Sequence, residues 1–154
     1  GLIYKGYHSD AARTHCVGKV SPEAEKLIAV TKQSFFEGIK NAKAGNHLYD
    51  ISNAIDAYVS SYGYGIVTAL VGHGIGTKLH EEPQIPNFAQ RRRGVRLQPG
   101  MTLAIEPMIN MGTAEVEWLD DDWTVVTADG AYSAHYENTV LITDGEPEIL
   151  TLPM

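Results

Sequence analysis

Two glutamates stand inside strongly apolar stretches of this chain, and their placement restricts how the chain can fold. Glu106 follows residues 102–105 (TLAI), and Glu137 leads into residues 139–142 (TVLI), both of which are typical of buried strands. An ionised carboxylate is strongly destabilised in such surroundings unless a cation or a hydrogen-bond donor reaches it. The alternative to a metal ion is an arginine partner for Glu106, and for Glu137 a position on the strand face that meets water.

If both strands belong to one sheet, Glu106 and Glu137 can be neighbours across them. Two carboxylates that are neighbours across adjacent strands repel each other unless a cation lies between them. Asp10 adds a third carboxylate after a turn-like segment, although aspartate after serine is common in turns. His73 stands between two glycines, which allow a sharp bend or a close approach of another group. We interpret these four residues as candidate metal ligands.

One imidazole and three carboxylates suit a divalent ion such as Mn, Co, Fe or Zn, and such a site indicates metal-assisted hydrolysis. His80 precedes residues 81–83 (EEP), which are expected to end a strand and to point the imidazole into a cleft. There it could donate to a substrate carbonyl oxygen and stabilise an oxyanion; the alternative is an ordinary loop histidine. No metal role is predicted for the remaining histidines, which are His8, His15, His47 and His135.

Composition narrows the class of protein. The 154 residues predict a single domain over 1–154. The net charge of −7 argues against a nucleic-acid partner, and no apolar run is long enough for a membrane span. Residues 91–93 (RRR) are interpreted as a solvated loop tip. Cys16, the one cysteine, is expected to be a small buried hydrophobe, which is consistent with a reducing cytoplasm.

The hydrophobic pattern predicts an α+β fold, with two helices on one face of a curved, mainly antiparallel sheet. The first helix begins with Ser21 as its cap and ends at Gly45, and the second runs from about Leu48 to Val59. Residues 80–98 are expected to form a loop. The predicted strands are 2–7, 13–18, 66–71, 101–109, a hairpin of 115–119 and 123–127, 131–143 and 148–152.

Taken together, the motifs resemble those of type 1 methionine aminopeptidases. They keep that family's order from one end of the chain to the other, which is more specific than any single motif. The matching stretches are residues 6–10 (GYHSD), 72–76 (GHGIG), 80–83 (HEEP), 99–101 (PGM), 105–108 (IEPM), 123–125 (WTV) and 136–139 (YENT).

The resemblance implies a pita-bread fold with helices on the outer face, and removal of the N-terminal methionine from nascent polypeptides and peptides whose second residue is small. It implies two divalent metal ions (Co, Mn, Fe or Zn). Asp10 and Glu137 would bridge them, and His73 and Glu106 would complete the first site. Glu106 would also carry the proton of the attacking water.

The resemblance also implies substrate contacts. His80 would contact the substrate carbonyl or scissile amide as a catalytic residue, and Leu79, Met108 and Trp123 would shape the methionine pocket. The family's other metal-binding aspartate and its N-terminal segment would precede Gly1. We therefore expect that the N-terminal part of the fold is missing, that the second metal site is weakened, and that the chain is a poor enzyme unless it associates with that N-terminal segment.

Two other functions fit the same motifs. Proline-specific dipeptidases and aminopeptidase P share the glycine-bracketed histidine and the Glu-Pro pair, although Met108 and residues 123–125 favour the methionine enzyme. A non-catalytic pita-bread binding module is the third possibility, because the chain would lack its N-terminal part. The metal used and the oligomeric state are not predicted.

Overall fold

The computed structural model describes residues 1–152 and contains two helices and a large antiparallel sheet, so the α+β prediction is confirmed. No helix within that range is long and apolar enough to cross a membrane. The elements in chain order are β1 (Leu2–Tyr4), β2 (Tyr7–Ser9), β3 (Ala11–Arg13), α1 (Pro22–Ile39), α2 (Leu48–Ser60), β4 (Gly65–Ile66), β5 (Gly72–Gly74), β6 (Glu81–Ile85), β7 (Thr102–Ile105), β8 (Met108–Asn110), β9 (Val116–Trp118), β10 (Val125–Thr127), β11 (Ser133–Leu141) and β12 (Glu148–Ile149).

Helix α1 begins as predicted and ends earlier than predicted. The Ser21 side chain accepts a hydrogen bond from the Ala24 amide, and Pro22 occupies the first turn. After Ile39 the chain tightens into three-residue turns, and the Ala42 amide donates to the Ile39 carbonyl at 2.9 Å. The predicted end at Gly45 is therefore wrong. Gly45 instead lies in the connection to α2, with a φ of +92°.

Helix α2 confirms the predicted range of about 48–59 and extends one residue further, to Ser60. The Asp50 carboxylate accepts a hydrogen bond from the His47 amide at 2.8 Å and so satisfies a free donor at the helix start. Both helices contribute to one apolar core against the sheet. Its fully buried large side chains include Phe35, Leu48, Ile51, Ile55, Leu103, Ile105 and Ile109.

The main sheet is built around β11, which pairs antiparallel with β3, β7, β8 and β12. The order of strands is β4-β8-β11-β7-β5-β6. The predicted strand over 101–109 is interrupted, because β7 ends at Ile105 and β8 begins at Met108. Pro107 has no amide hydrogen to give to a neighbouring strand, and this explains the break.

The break leaves the two glutamates facing each other. Asn138 pairs with Ile105 on one side of it, and His135 pairs with Met108 on the other. Both pairings belong to the same register, which places Glu137 opposite Glu106. Like charges directly opposite each other on adjacent strands are destabilising, so this position in the sheet calls for a cation.

Other local predictions are wrong as well, and the strand expected over 2–7 is divided by a turn into β1 and the start of β2. Residues 13–18 do not form a strand beyond Arg13, and Cys16 in that segment is exposed rather than buried. Of the strand expected over 66–71, only Ile66 lies in a strand, at the end of β4, and the next strand, β5, begins at Gly72. Strand β6 lies inside the expected loop of 80–98. The hairpin of β9 and β10 is confirmed, while β11 and β12 are shorter than their predicted ranges.

Candidate metal centre

The four predicted ligands converge where β11, β7 and β5 meet the start of β3. Single ligand atoms of Asp10, His73 and Glu137 all lie within 4.8 Å of one another. Nε2 of His73 is 3.5 Å from Oε1 of Glu106. A second group of ligand atoms with the same spacing consists of Glu106, Glu137 and His135. The two groups share Glu137, which therefore occupies the middle of the cluster.

His73 is oriented so that one ring nitrogen is free. Its Nδ1 atom lies 2.9 Å from the carbonyl oxygen of Gly74, so in the neutral imidazole Nδ1 carries the proton. Nε2 then has a free lone pair, which faces the Glu106 carboxylate. Two electron-pair donors that face each other at this distance are well suited to a metal ion, and a backbone carbonyl at the other nitrogen is a common way of orienting a histidine ligand.

The glycines beside His73 let neighbouring backbones approach closely. A Cβ atom at Gly72 would lie 2.3 Å from the Ala104 carbonyl oxygen, and one at Gly74 would lie 2.2 Å from the carbonyl oxygen of Glu82. The close approach expected of these glycines is therefore observed. It places His73 between β6 and β7 at the base of the site.

Asp10 is held by a hydroxyl on β11. The Thr139 hydroxyl accepts a hydrogen bond from the Asp10 amide at 2.9 Å and donates one to the Asp10 carbonyl at 3.0 Å. Because Thr139 is two residues from Glu137, the same strand that carries one carboxylate fixes the backbone of the other.

Glu137 has the electrostatic surroundings expected of a metal ligand without its metal. It is 4% exposed, and its Oε1 atom has no hydrogen-bond partner among the described residues. Burial, followed by the negative charges of Glu106 and Asp10, raises the pKa of Glu137 to about 8. A divalent cation would neutralise this cluster, and its oxygen and imidazole donors fit such an ion.

Arginine does not take the place of that cation. Arg13 donates hydrogen bonds to the backbone carbonyl of Glu137 and, at 2.5 Å, to the side-chain oxygen of Asn138, and it lies over the ring of Tyr136. The ion-pair contacts of Glu106 are to His73 and His135 instead. The arginine alternative for Glu106 is therefore wrong, and so is the water-facing alternative for Glu137.

A cleft of about 1220 Å³ opens above the cluster. His73, His80, Glu106, Met108 and Trp123 are among the residues that line it. The exposed imidazole of His80 packs edge-to-face on His73, with 4.3 Å between the ring centroids. Trp123 is 87% exposed at the rim. The cleft thus brings apolar and hydrogen-bonding groups to the metal ligands.

Leu79 lies apart from the other predicted substrate contacts. A Cβ atom at Gly1 would be 3.6 Å from Cδ1 of Leu79 and 3.9 Å from the Asp10 carboxylate, so Leu79 flanks Asp10 rather than the cleft. The roles of Leu79, His80, Met108 and Trp123 in substrate binding stay predictions.

The sequence analysis missed His135. It lies on β11 two residues before Glu137, and its Nε2 atom is 3.3 Å from Oε2 of Glu106. The available signal was strand alternation, which places residues two apart on the same face.

Replacing Glu137 with glutamine is expected to stabilise the metal-free protein and to abolish tight metal binding. At pH 7 the folded protein must keep this carboxyl group largely protonated, because its pKa is raised to about 8, whereas the unfolded chain ionises it freely. The glutamine amide avoids that cost, so the free energy of unfolding should rise by about 1–3 kcal/mol. Urea unfolding in chelator and calorimetric titration with Co²⁺ measure the two effects.

The matched control is Glu117→Gln on the exposed hairpin strand β9, which should change neither quantity. A lower unfolding midpoint for Glu137→Gln in chelator would contradict the electrostatic argument.

Comparison with known proteins supports this interpretation of the site. The profile of metallopeptidase family M24 matches residues 1–144. A methionine aminopeptidase of Clostridium perfringens is 59% identical over 152 residues, and methionine aminopeptidase 1 of Bacillus subtilis is 48% identical over 151. The alignments cover 99% and 98% of this chain and 61% of each relative.

Solved structures agree with the predicted pita-bread fold. The crystal structure of a methionine aminopeptidase from Thermotoga maritima matches with a TM-score of 0.95 and 44% identity, over 98% of this chain and 61% of that one. A prolidase from Pyrococcus furiosus matches with a TM-score of 0.76 and 24% identity, over 99% of this chain and 39% of that one, and shows the shared fold alone.

The chain thus spans about three-fifths of the length of the methionine aminopeptidases that it matches. Its residues include the carboxylates and the imidazole gathered at the base of the cleft, which are the donor types that a metallopeptidase needs. With the family profile covering residues 1–144 of 154, the chain belongs to metallopeptidase family M24.

Proposed function

We propose that this protein removes the N-terminal methionine from polypeptides and peptides whose second residue is small. The observation that carries the proposal is the convergence of Asp10, His73, Glu106 and Glu137 beneath a cleft large enough for a peptide terminus. The similarity to methionine aminopeptidases supports the choice of substrate.

The proposal includes two divalent ions, with Co, Mn, Fe and Zn as candidates. Asp10 and Glu137 would be shared between them, and His73 and Glu106 would complete one site. Such ions supply positive charge that polarises a carbonyl group and makes water more acidic. The negative charges of Glu106 and Asp10 beside Glu137 support the presence of highly charged cations among these carboxylates.

Glu106 is the proposed proton carrier of the reaction. Its carboxylate lines the cleft and is partly accessible, so it can accept a proton from the attacking water and return it to the leaving amine. His80 lines the same cleft, where its imidazole can donate a hydrogen bond to the oxygen of the substrate carbonyl.

Apolar side chains of the cleft would select the methionine side chain. Met108 lies at the base of the cleft beside Glu106, and Trp123 and Trp118 stand at the exposed rim. Leu79 would approach the substrate from the side of Asp10. A pocket of this kind discriminates among apolar side chains by only about 1–3 kcal/mol per methylene group, so some activity on other unbranched residues is expected.

Peptide turnover tests the proposal. Purified protein supplied with Co²⁺ or Mn²⁺ is expected to release methionine from Met-Ala-Ser, to act much more slowly on Met-Trp-Ser, and to stop when chelator is added. Cleavage of an Xaa-Pro peptide in place of Met-Ala-Ser would favour the proline-specific function. Metal binding without turnover of either peptide would favour the non-catalytic module.

We also propose that the protein works in the cytoplasm. An exposed thiol such as that of Cys16 persists most readily in a reducing compartment, and newly made polypeptides are available there.

A further inference from the structure

The backbone of His135 is fixed by Thr14, the residue that follows β3. The Thr14 hydroxyl accepts a hydrogen bond from the His135 amide at 2.9 Å and donates one to its carbonyl at 3.0 Å. The side chain points into the cleft, where it is one of the lining groups, and it is 34% exposed. His135 therefore presents its ring to the site from a rigid position.

The ring approaches one oxygen of the Glu106 carboxylate. Nε2 of His135 is buried, has no hydrogen-bond partner among the described residues, and lies 3.3 Å from Oε2 of Glu106. The other oxygen, Oε1, lies 3.5 Å from Nε2 of His73. The carboxylate is thus held between two imidazoles, one at each oxygen.

The two imidazoles differ in what they can offer. The contact of His73 Nδ1 with the Gly74 carbonyl leaves the Nε2 atom of neutral His73 as an electron-pair donor suited to a metal ion. The contacts of His135 with Thr14 involve only the backbone of His135. They do not decide which ring nitrogen carries the hydrogen, so Nε2 of His135 can be a donor. The 3.3 Å between Nε2 of His135 and Oε2 of Glu106 is within the range of a hydrogen bond in which the imidazole donates.

We propose that His135 is a positioning residue that donates a hydrogen bond from Nε2 to Oε2 of Glu106 and so fixes the orientation of that carboxylate. Its effect on catalysis rests on the proposed function, whereas its effect on metal binding does not. Groups that hydrogen-bond to a ligating carboxylate typically change metal affinity or activity by about 10–100-fold when they are removed.

Direct metal ligation by His135 is the competing interpretation, because its ring nitrogen belongs to a cluster with Glu106 and Glu137. Two substitutions separate the possibilities. His135→Gln retains a side-chain N–H donor of similar reach, and His135→Leu removes the donor while it keeps apolar bulk. His15→Leu is the matched control, because His15 is an exposed histidine that does not line this cleft.

Three measurements are made on each variant. Calorimetric titration with Co²⁺ gives the metal dissociation constant, the visible absorption of the Co²⁺ complex reports its donor atoms, and thermal unfolding in chelator reports the fold. Where Met-Ala-Ser is hydrolysed, kcat and KM are determined separately.

We expect His135→Leu to weaken Co²⁺ binding by about tenfold or more and to lower kcat with little change in KM, and we expect His135→Gln to restore both to within about threefold. The absorption bands should keep their positions, and unfolding in chelator should stay near that of the unchanged protein. His15→Leu should match the unchanged protein throughout.

Unchanged metal affinity and kcat in His135→Leu would overturn the proposal. Equal losses in the glutamine and leucine variants would also overturn it, and a shifted absorption spectrum in both would then identify His135 as a ligand. If no variant hydrolyses Met-Ala-Ser while the Co²⁺ affinities still follow the expected order, the proposed function fails and the positioning role stands.

Discussion

Hydrolysis of Met-Ala-Ser is expected to fall by about 10²–10⁴-fold when Glu106 is replaced with glutamine, the range typical of a lost general acid–base group. The amide of glutamine occupies the same space but accepts no proton from water at neutral pH. Glu106 lies between His73 and His135 at the break between β7 and β8. Glutamine has the same shape there, so the substitution removes the acidic group without changing the packing. Initial rates at several Co²⁺ concentrations measure the effect.

The metal concentrations matter because Glu106 is also a proposed ligand. A loss of rate that disappears at high Co²⁺ would assign Glu106 to metal binding alone, and retained activity under all conditions would remove it from the mechanism. Glu82→Gln is the matched control, since Glu82 lines the same cleft but is exposed. Its rate should stay within about twofold, as expected of a surface substitution of small energetic effect.

Gly74→Ala is expected to have the largest effect on stability, with a loss of about 3 kcal/mol or more in the free energy of unfolding. The added Cβ atom would lie 2.2 Å from the carbonyl oxygen of Glu82 and 2.8 Å from its carbon. Both are backbone atoms of the strand segment paired with β5, so relief requires that β5 and β6 separate. That movement would also displace His73.

Urea unfolding in chelator measures the loss, because it isolates the fold from metal binding. Gly145→Ala is the matched control: its added Cβ atom would have one neighbour within 4 Å, the Thr143 hydroxyl at 3.9 Å. An unfolding midpoint for Gly74→Ala equal to that of the Gly145 variant would show that the two strands are not held at the observed distance.

The helices and the β9–β10 hairpin could be predicted because their signals are local. The Ser21 cap and the apolar spacing of 48–59 act within a few residues. The early end of α1 was missed because Gly45 is a conspicuous stop signal, whereas the actual end depends on turns that follow Ile39. A local signal for the break at Pro107 was present and was given too little weight.

Strand β6 was missed because proline and polar residues suggested a loop. It is an edge strand at the end of the sheet order, where a proline is tolerated. Its burial alternates, with Glu82 and Gln84 exposed, Glu81 and Pro83 half-buried and Ile85 fully buried, but residues 81–85 (EEPQI) include one large apolar side chain and so show little of that alternation.

The candidate site was predictable in composition but not in geometry. Apolar flanks identified Glu106 and Glu137 as residues that need a partner, whereas Asp10 alone was a weak signal and gained its bridging role only from the resemblance. Strand alternation indicates that His135 shares a face with Glu137, but its contact with Glu106 depends on the register of β11 with β8, which no nearby residue reveals. Contacts between residues far apart in sequence are set by topology, and His135 was therefore passed over.

The facing glutamates in the gap between β7 and β8 have a further consequence. A cation held there would join strands from the beginning, middle and end of the chain, and because only the folded chain brings these ligands together, it would stabilise the folded state more strongly as its free concentration rises. When the metal is scarce, the protein would then be degraded by proteases more rapidly, in addition to losing its proposed activity. The supply of the ion would thereby govern how much of the protein a cell retains.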